Sequence, residues 1–525
     1  MVPNDEALVT SPAISVQQGS LAGGNYVFSL VLAKDEVMIS FALDRTNSLF
    51  CFRVKGLLSQ ELFDPDGWLP NHMVSDRVSI AIPSRSAGFV VETRKPGTPE
   101  VTGAFSKIFW EIPHEVHSLK VNWTSHPVFY SEFGGSMPAI SFVSSGGSIF
   151  VGLGDTPERA ATRAVAFARV GRSRMFEEAG AFMQSMESRF PEPDVRNNAL
   201  MCLFHSNGIS VDEDRDFIVA CKSPLYYVSS GFWSRDFVLW ALPVIEAADR
   251  ERASELILLM LDRYWKNRGI HALYMDGRVL YDGFELDELI CYLIALAKGI
   301  AGGFVERDRA REKGMTILAD LSRWKHPEKE LYATELNSSD DPVTYRYVTY
   351  NNSLLSRALI DFGTALGDET KNEWAVKGSK IREEILRNMI DPDLKAFCYS
   401  TDLQGKSEMY DDPTGSLLSL PDLGITERDS VIYRNTVEWI TSSRNPYFRQ
   451  GRYAGGSNRH VGHPWTHYFC NTVIAGIEPV AELNRIPMDN GMACETIDEN
   501  SGKCLTGLHF PGASGYYVTA RMHRR

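Results

Sequence analysis

Two patterns of apolar and polar positions divide the chain. Over residues 1–155, short apolar stretches such as NYVFSLVLA, VMISFAL, LFCFRV and AISFVSSGGSIFVGLG lie between clusters of Gly, Pro, Ser, Asn and Asp. Several repeat with period two, as half-buried strands do. Many short strands and no long helical stretch predict an N-terminal antiparallel β-sandwich. The pattern changes at Thr156. TPERAATRAVAFARVGRSRMFEEAGAFMQSMESRF is rich in helix formers and stops at Pro191-Glu192-Pro193. Residues 156–193 therefore read as a linker helix.

From residue 194 to 525 the period is helical. Candidate helices are 194–208, 234–248, 250–266, 284–300, 304–322, 349–366, 369–390, 428–443, 464–484 and 512–522. Connections alternate between tight ones, such as AADRERAS, and long polar ones at 267–283, 323–348, 444–463 and 485–511. That alternation predicts a toroid of paired helices whose long loops build a site on one face. A solenoid would show a fixed-period repeat, and none is present.

Composition narrows the function. The 525 residues carry 54 Lys and Arg against 67 Asp and Glu, a net charge of −13. This disfavours nucleic acid, which needs clustered cations. The longest apolar stretches, FVLWALPVI and LICYLIALA, are about half a membrane span, and the start lacks a secretory signal pattern. A cytoplasmic protein is expected. The eight cysteines form no C-x-x-C pair and read as buried reduced thiols. Cys494 and Cys504, ten apart, could pair in an oxidising setting or a hot-living organism. The glycosylation-type triplets at Asn122, Asn337 and Asn351 read as chance. Phosphate-loop, dinucleotide, zinc-protease and nucleophile-elbow motifs are missing. His114 and His117 would face opposite sides of a strand, so no metal is expected there, and no cofactor is required.

Five short segments remain as candidates for chemistry. Ser230-Gly231-Phe232-Trp233-Ser234-Arg235-Asp236 leads into an apolar helix. Its Asp accepts from hydroxyls, its Arg donates, and its Trp covers ring carbons, which suits one sugar. Tyr281-Asp282-Gly283-Phe284-Glu285-Leu286-Asp287-Glu288 opens the next inner helix. Leu286, Leu289, Ile290, Leu293 and Ala297 form its buried stripe, and Asp287 lies off it. Mutual repulsion among these carboxylates raises at least one pKa, while the helix N-terminus lowers it. Met409-Tyr410-Asp411-Asp412-Pro413-Thr414-Gly415 is a polar turn before an apolar segment. His460-Val461-Gly462-His463-Pro464-Trp465 opens a further helix, with Pro at its first position. Cys494-Glu495-Thr496-Ile497-Asp498-Glu499-Asn500 is a polar loop. Each alone also fits a solvated cap, a turn or a core aromatic.

Their order and spacing are more specific. WSRD with GFELDELICYLIAL resembles the glycogen-debranching glucosidase domain and the family 63 glucosidases. DDPTGSLLSLPDLGI with NPYFRQG is similar to family 125 exo-mannosidases. ACETIDENSG resembles the base-bearing loop of families 63 and 125, and a sandwich plus linker helix before the barrel resembles family 15 glucoamylases. The resemblance covers residues 195–520 through short motifs. It implies a mainly α fold, an (α/α)6 barrel behind the N-terminal sandwich, and an exo-acting hydrolase for a terminal α-linked sugar, with a glucoside favoured and a mannoside the alternative. Asp287 would be the general acid and Glu495 the base activating water, which is inverting chemistry with carboxyl groups about 6.5–9.5 Å apart. Glu285 and Glu288 are fallback acids. Trp233, Arg235 and Asp236 would grip the sugar, with Tyr350, Asn351, Asp411, Asp412, His463 and Trp465 lining the pocket. The expected partner is an oligosaccharide or small glycoside. A phosphorylase, a non-catalytic sugar binder, and a lyase or epimerase using His463 or His509 are competing readings.

Overall fold

The computed structural model describes residues 172–523 except 211–214, 223–225, 227, 229–230 and 368–372. Before residue 172 it describes the backbone of ten strands and four residues between 162 and 170. His114 and His117 therefore lie outside the described residues, as do Ser230 and most of the first half of the expected linker helix. Two compact units result, Met1–Asn197 with Gly208–Asp216, and Asn198–Asn207 with Phe217–Arg525.

In the first unit, seven strands form an antiparallel sheet in the order Asn4–Thr10, Ile14–Leu21, Gly24–Leu32, Glu36–Leu43, Gly146–Gly154, Ser86–Thr93 and Val101–Ser106. Leu49–Arg53, Met137–Val143 and Phe129–Gly134 form a second, also antiparallel. Helix α1 (Arg172–Arg189) ends just before Pro191, whose missing N–H and restricted neighbour stop it. Helix α2 (Pro193–His205) follows, and from Asn198 onward it belongs to the second unit.

The second unit is a mainly helical (α/α)6 barrel. Its inner positions are a π-helical turn at Asp236–Ala241 running into α3 (Leu242–Ala248), then α5 (Leu286–Ala301) and α7 (Thr349–Leu366). Two 3-10 turns at Pro413–Gly415 and Leu417–Ser419, α10 (Thr466–Ile474) and α11 (Pro511–Met522) complete the six. Each packs on the next, and α11 returns to the π-turn to close the ring. Helices α4 (Arg250–Arg263), α6 (Arg307–Ser322), α8 (Glu373–Asn388) and α9 (Val431–Ile440) alternate with them, as does a 3-10 segment at Val480–Arg485.

Patterning explains the assignment to layers. Helix α8 buries only Trp374, Gly378, Ile381 and Ile385, a single stripe, as an outer helix should. Helix α5 is buried over most of its circumference, as an inner one must be. The expected helix 464–484 is cut short because Gly476 turns left-handed at φ 82° and Pro479 cannot continue it. Long loops lead into the N-termini of the inner helices and short ones leave their C-termini. The loop residues before Asp236, Leu286, Thr349, Pro413, Thr466 and Pro511 are thus gathered at one end of the barrel. No helix among the described residues is long and apolar enough to cross a membrane.

Candidate active site

Arg235 organises that end of the barrel. It is almost fully buried, and a buried guanidinium requires paired, hydrogen-bonded anions. Its Nη1 donates to Glu285 Oε2 at 2.9 Å and to Asp287 Oδ2 at 3.5 Å, and its Nη2 donates to Asp340 Oδ1 at 2.8 Å. Asp236 Oδ1 lies 3.6 Å from Nε. The planar fork reaches several carboxylates at once, which an ammonium would not.

Glu288 fixes where Arg235 begins. Its Oε2 accepts from Ser234 N–H at 2.6 Å and also from the Ser234 hydroxyl, and its Oε1 accepts from Arg235 N–H at 3.2 Å. The Ser234 hydroxyl also meets the Glu288 carbonyl at 2.7 Å. This carboxylate caps the start of the neighbouring inner element and has no exposed role. Burial pushes Glu288 up.

The remaining charges do not balance within the cluster, so protons must. Burial raises Asp236 to about 8 against the pull of Arg235. Burial raises Glu285 to about 7, again against Arg235 and His271. His271 Nδ1 lies 2.9 Å from Glu285 Oε1 and 3.7 Å from Asp340 Oδ1. Burial would lower His271, but Glu285 and Asp340 outweigh it and hold it near 9. Asp340 is opposed by burial yet held below its ordinary value by Arg235 and His271. It stands at φ 68°, and its side chain is 40% exposed. Among these partners of Arg235 it is the carboxylate most open to solvent. Asp287 is fully buried, with Oδ1 accepting from Glu288 N–H at 3.1 Å.

Glu495 enters from the last long loop. Its N–H donates to Thr506 O at 3.2 Å and Gly507 O at 3.3 Å, and its carbonyl accepts from Thr466 N–H at 2.9 Å. Its charge contributes to the rise of Asp236, and also to the rise of His460 to about 9, where Asp341 outweighs burial. Glu495 therefore faces the Arg235 cluster. His460 Nδ1 pairs with Asp341 Oδ2 at 3.1 Å and meets Trp465 edge-on at 6.3 Å.

Trp233 stands edge-on to His271 at 5.9 Å, and a Cβ at Gly231 would come within 2.5 Å of its ring. The buried indole N–H groups of Trp233 and Trp465, and both amide atoms of Asn351, lack a hydrogen-bond partner among the described residues. Such buried groups are rare unless a ligand or water completes them. Tyr350 feels the charges of Asp287 and Arg235, which places it beside the cluster.

Three residues expected to line the pocket are tied to their own loops or neighbours. Asp411 accepts from Ser416 Oγ at 2.7 Å and Leu417 N–H at 2.8 Å. Asp412 accepts from Ser339 Oγ, from Thr414 N–H at 3.2 Å and from Tyr399 OH at 3.3 Å. Both are buried loop anchors. His463 is partly exposed and tied to Glu499 at 2.8 Å. Conversely, His271, Asp340, Asp341 and His460 were not picked out from the sequence. A signal existed, since Asp340-Asp341-Pro342 repeats the Asp-Asp-Pro of 411–413.

Two groups could hold a metal by proximity, His271 with Glu285 and Asp340, and His463 with Asp498 and Glu499. In the first, Arg235 already supplies the cation. In the second, Asp498 is taken up by the amides of Asn500 and Ser501, and Glu499 by His463.

Cys202, Cys291, Cys398 and Cys470 are free and buried, as expected, and Cys221 is also buried. Cys494 and Cys504 are instead joined in a disulfide, because the turn between them brings their Cα atoms to 6.0 Å.

The barrel is similar in fold to those of solved glycoside hydrolases. Residues 307–474 match the family described as metal-independent alpha-mannosidase (GH125). A stretch of 71 residues is 42% identical to the meiotically up-regulated gene 157 protein of Schizosaccharomyces pombe, spanning 13% of this chain and 14% of that one. A Streptococcus pneumoniae metal-independent alpha mannosidase, solved in a non-productive complex with alpha-1,6-mannobiose, is 16% identical. It covers 66% of this chain and 97% of its own, with a TM-score of 0.56. A bacterial glucoamylase complexed with acarbose is 10% identical, covers 99% of this chain and 84% of its own, and has a TM-score of 0.59.

Proposed function

We propose that the chain is an inverting, exo-acting hydrolase of terminal α-mannosides. The observation that carries this reading is the match of residues 307–474 to the metal-independent alpha-mannosidases, a span that includes the Asp340 and Asp411 loops. Glucoside motifs in the sequence pointed the other way, but they lie largely before residue 307. Trp233, Arg235 and Asp236 hold the terminal sugar. Glu495 removes a proton from the attacking water, and a carboxylic acid across the ring protonates the leaving oxygen.

Asp340 suits the donor role better than Asp287. A general acid must reach the glycosidic oxygen, and Asp287 is sealed between Arg235 and the start of α5. Asp340 opens to solvent. Arg235 and His271 favour its ionised form, so protonation must accompany substrate binding. The domain limits proposed are 1–155, 156–193 and 194–525, with the two N-terminal sheets forming the sandwich.

The test is a panel of α-mannobioses and α-glucobioses with the product anomer followed by NMR. Faster cleavage of mannosides with inversion is expected. Retention of configuration would remove Glu495 from the role of base, and glucoside preference would return the assignment to a glucosidase.

A further inference from the structure

We infer that the Cys494–Cys504 disulfide positions Glu495, so that turnover depends on the oxidation state of this pair. The inference rests on Glu495 being the base. Glu495 directly follows Cys494, and the bond closes a span of ten residues around it. Short strands Thr496–Ile497 and Cys504–Thr506 pair across that span, and the hydroxyls of Thr496 and Thr506 meet at 2.6 Å. On the other side Gly507, at φ 58°, lies so close that a Cβ there would fall 2.3 Å from Glu495 Cβ. The base is therefore wedged between the crosslinked ribbon and Gly507.

The two strands hold two and three residues. A two-stranded ribbon is marginal in water without a further tie, and here the disulfide supplies that tie. Cys494 is buried and Cys504 half-buried, so a thiolate would attack Cys504 Sγ. A dithiol reductant would give up two electrons and two protons. The S–S bond would become two thiols and the reductant a cyclic disulfide. The ribbon that begins at Glu495 would then lose its covalent tie. A displacement of about 1 Å at a reacting group costs up to roughly 100-fold in rate.

The experiment compares air-oxidised enzyme, the same enzyme reduced and then reoxidised, and the Cys494→Ser/Cys504→Ser double variant. Intact mass reports the bond, steady-state kinetics on α-mannobiose report kcat and KM, and hydrogen exchange reports the 493–507 amides. Expected are a tenfold or greater fall in kcat on reduction with KM nearly unchanged, recovery on reoxidation, and faster exchange confined to 493–507. The double variant should match the reduced enzyme and ignore reductant. Equal kcat in oxidised and reduced forms, unchanged exchange, or free thiols in the air-oxidised protein would overturn the inference. Absence of any turnover in oxidised enzyme would count against the hydrolase reading alone, since hydrogen exchange still decides whether the disulfide holds the loop.

Discussion

Arg235 Nη2 and Asp340 Oδ1 lie 2.8 Å apart across 105 residues of sequence. The contact joins the loop before the first inner element to the loop before α7, and Asp340 adopts φ 68° to make it. A non-glycine residue in that region costs about 1–2 kcal/mol. The fold bears that cost in order to place a carboxylate beside the Arg235 guanidinium and the His271 ring. Strain of this kind concentrates where geometry serves chemistry.

Asp340→Asn should lower turnover of α-mannobiose by roughly 10²–10⁴-fold, the usual worth of a general acid. A dinitrophenyl α-mannoside needs no proton on its leaving group, so its cleavage should fall less than about tenfold. Asp287→Asn should not show this split. If the split appears in Asp287→Asn and not in Asp340→Asn, the donor is Asp287.

Arg235→Lys keeps the charge and removes the fork. One ammonium cannot satisfy Glu285, Asp287 and Asp340 together. Turnover should fall by roughly 100-fold, and stability by about 3 kcal/mol or more as buried carboxylates lose a partner. Denaturant titration and kinetics on the same preparation check both. Wild-type stability in this variant would show that the network is not held by the guanidinium.

Stability should fall as pH rises from about 5 to about 9. Asp236, Glu285, Asp411 and Asp412 have folded values raised to about 8, 7, 7 and 6, chiefly by burial. His271 and His460 are raised to about 9 by their carboxylate partners, against burial. The folded protein thus binds more protons than the unfolded chain across this window, and the slope of stability with pH is negative. The carboxylates begin to lose their contribution above their unfolded values near 4, and the histidines above about 6.5. Glu330, lowered to about 2 by Lys325 and Lys377 against burial, works in the opposite sense below its ordinary value of 4.5, and His205 and His467, each lowered to about 3 by burial, do so below about 6.5, where they offset part of the carboxylate effect. The Tm near pH 5 should therefore exceed that near pH 8 by several degrees. A Tm that rises over this range would contradict the proposed charge states.

The barrel was legible because its layers follow hydrophobic periodicity, as the stripe of Trp374, Ile381 and Ile385 on α8 shows. Arg235 and Glu495 were legible because their neighbours fall at recognisable spacings. Asp340 was not, because its importance depends on a contact 105 residues away and on a backbone angle that residue type does not reveal. Asp-Asp-Pro occurs twice, and only the hydrogen bonds separate the copy that anchors a loop from the copy that opens to the pocket. The Cys494–Cys504 bond depends on a turn whose closure the spacing alone did not fix.

Gly507→Ala tests the seat of Glu495 from the side opposite the disulfide. The residue lies at φ 58°, where alanine costs about 1–2 kcal/mol, and its Cβ would meet Glu495 Cβ at 2.3 Å. The base carries its own backbone ties to Thr506, Gly507 and Thr466, so the loop must shift as a unit rather than let one side chain rotate away. The expected result is a loss of about 2–3 kcal/mol in stability, combining strain with overpacking, and a fall in kcat of at least tenfold with KM little changed. KM should hold because Trp233, Arg235 and Asp236, the residues proposed to grip the sugar, lie on other elements. Stability loss with unaltered kcat would mean that Glu495 tolerates displacement, which a residue activating a single water should not.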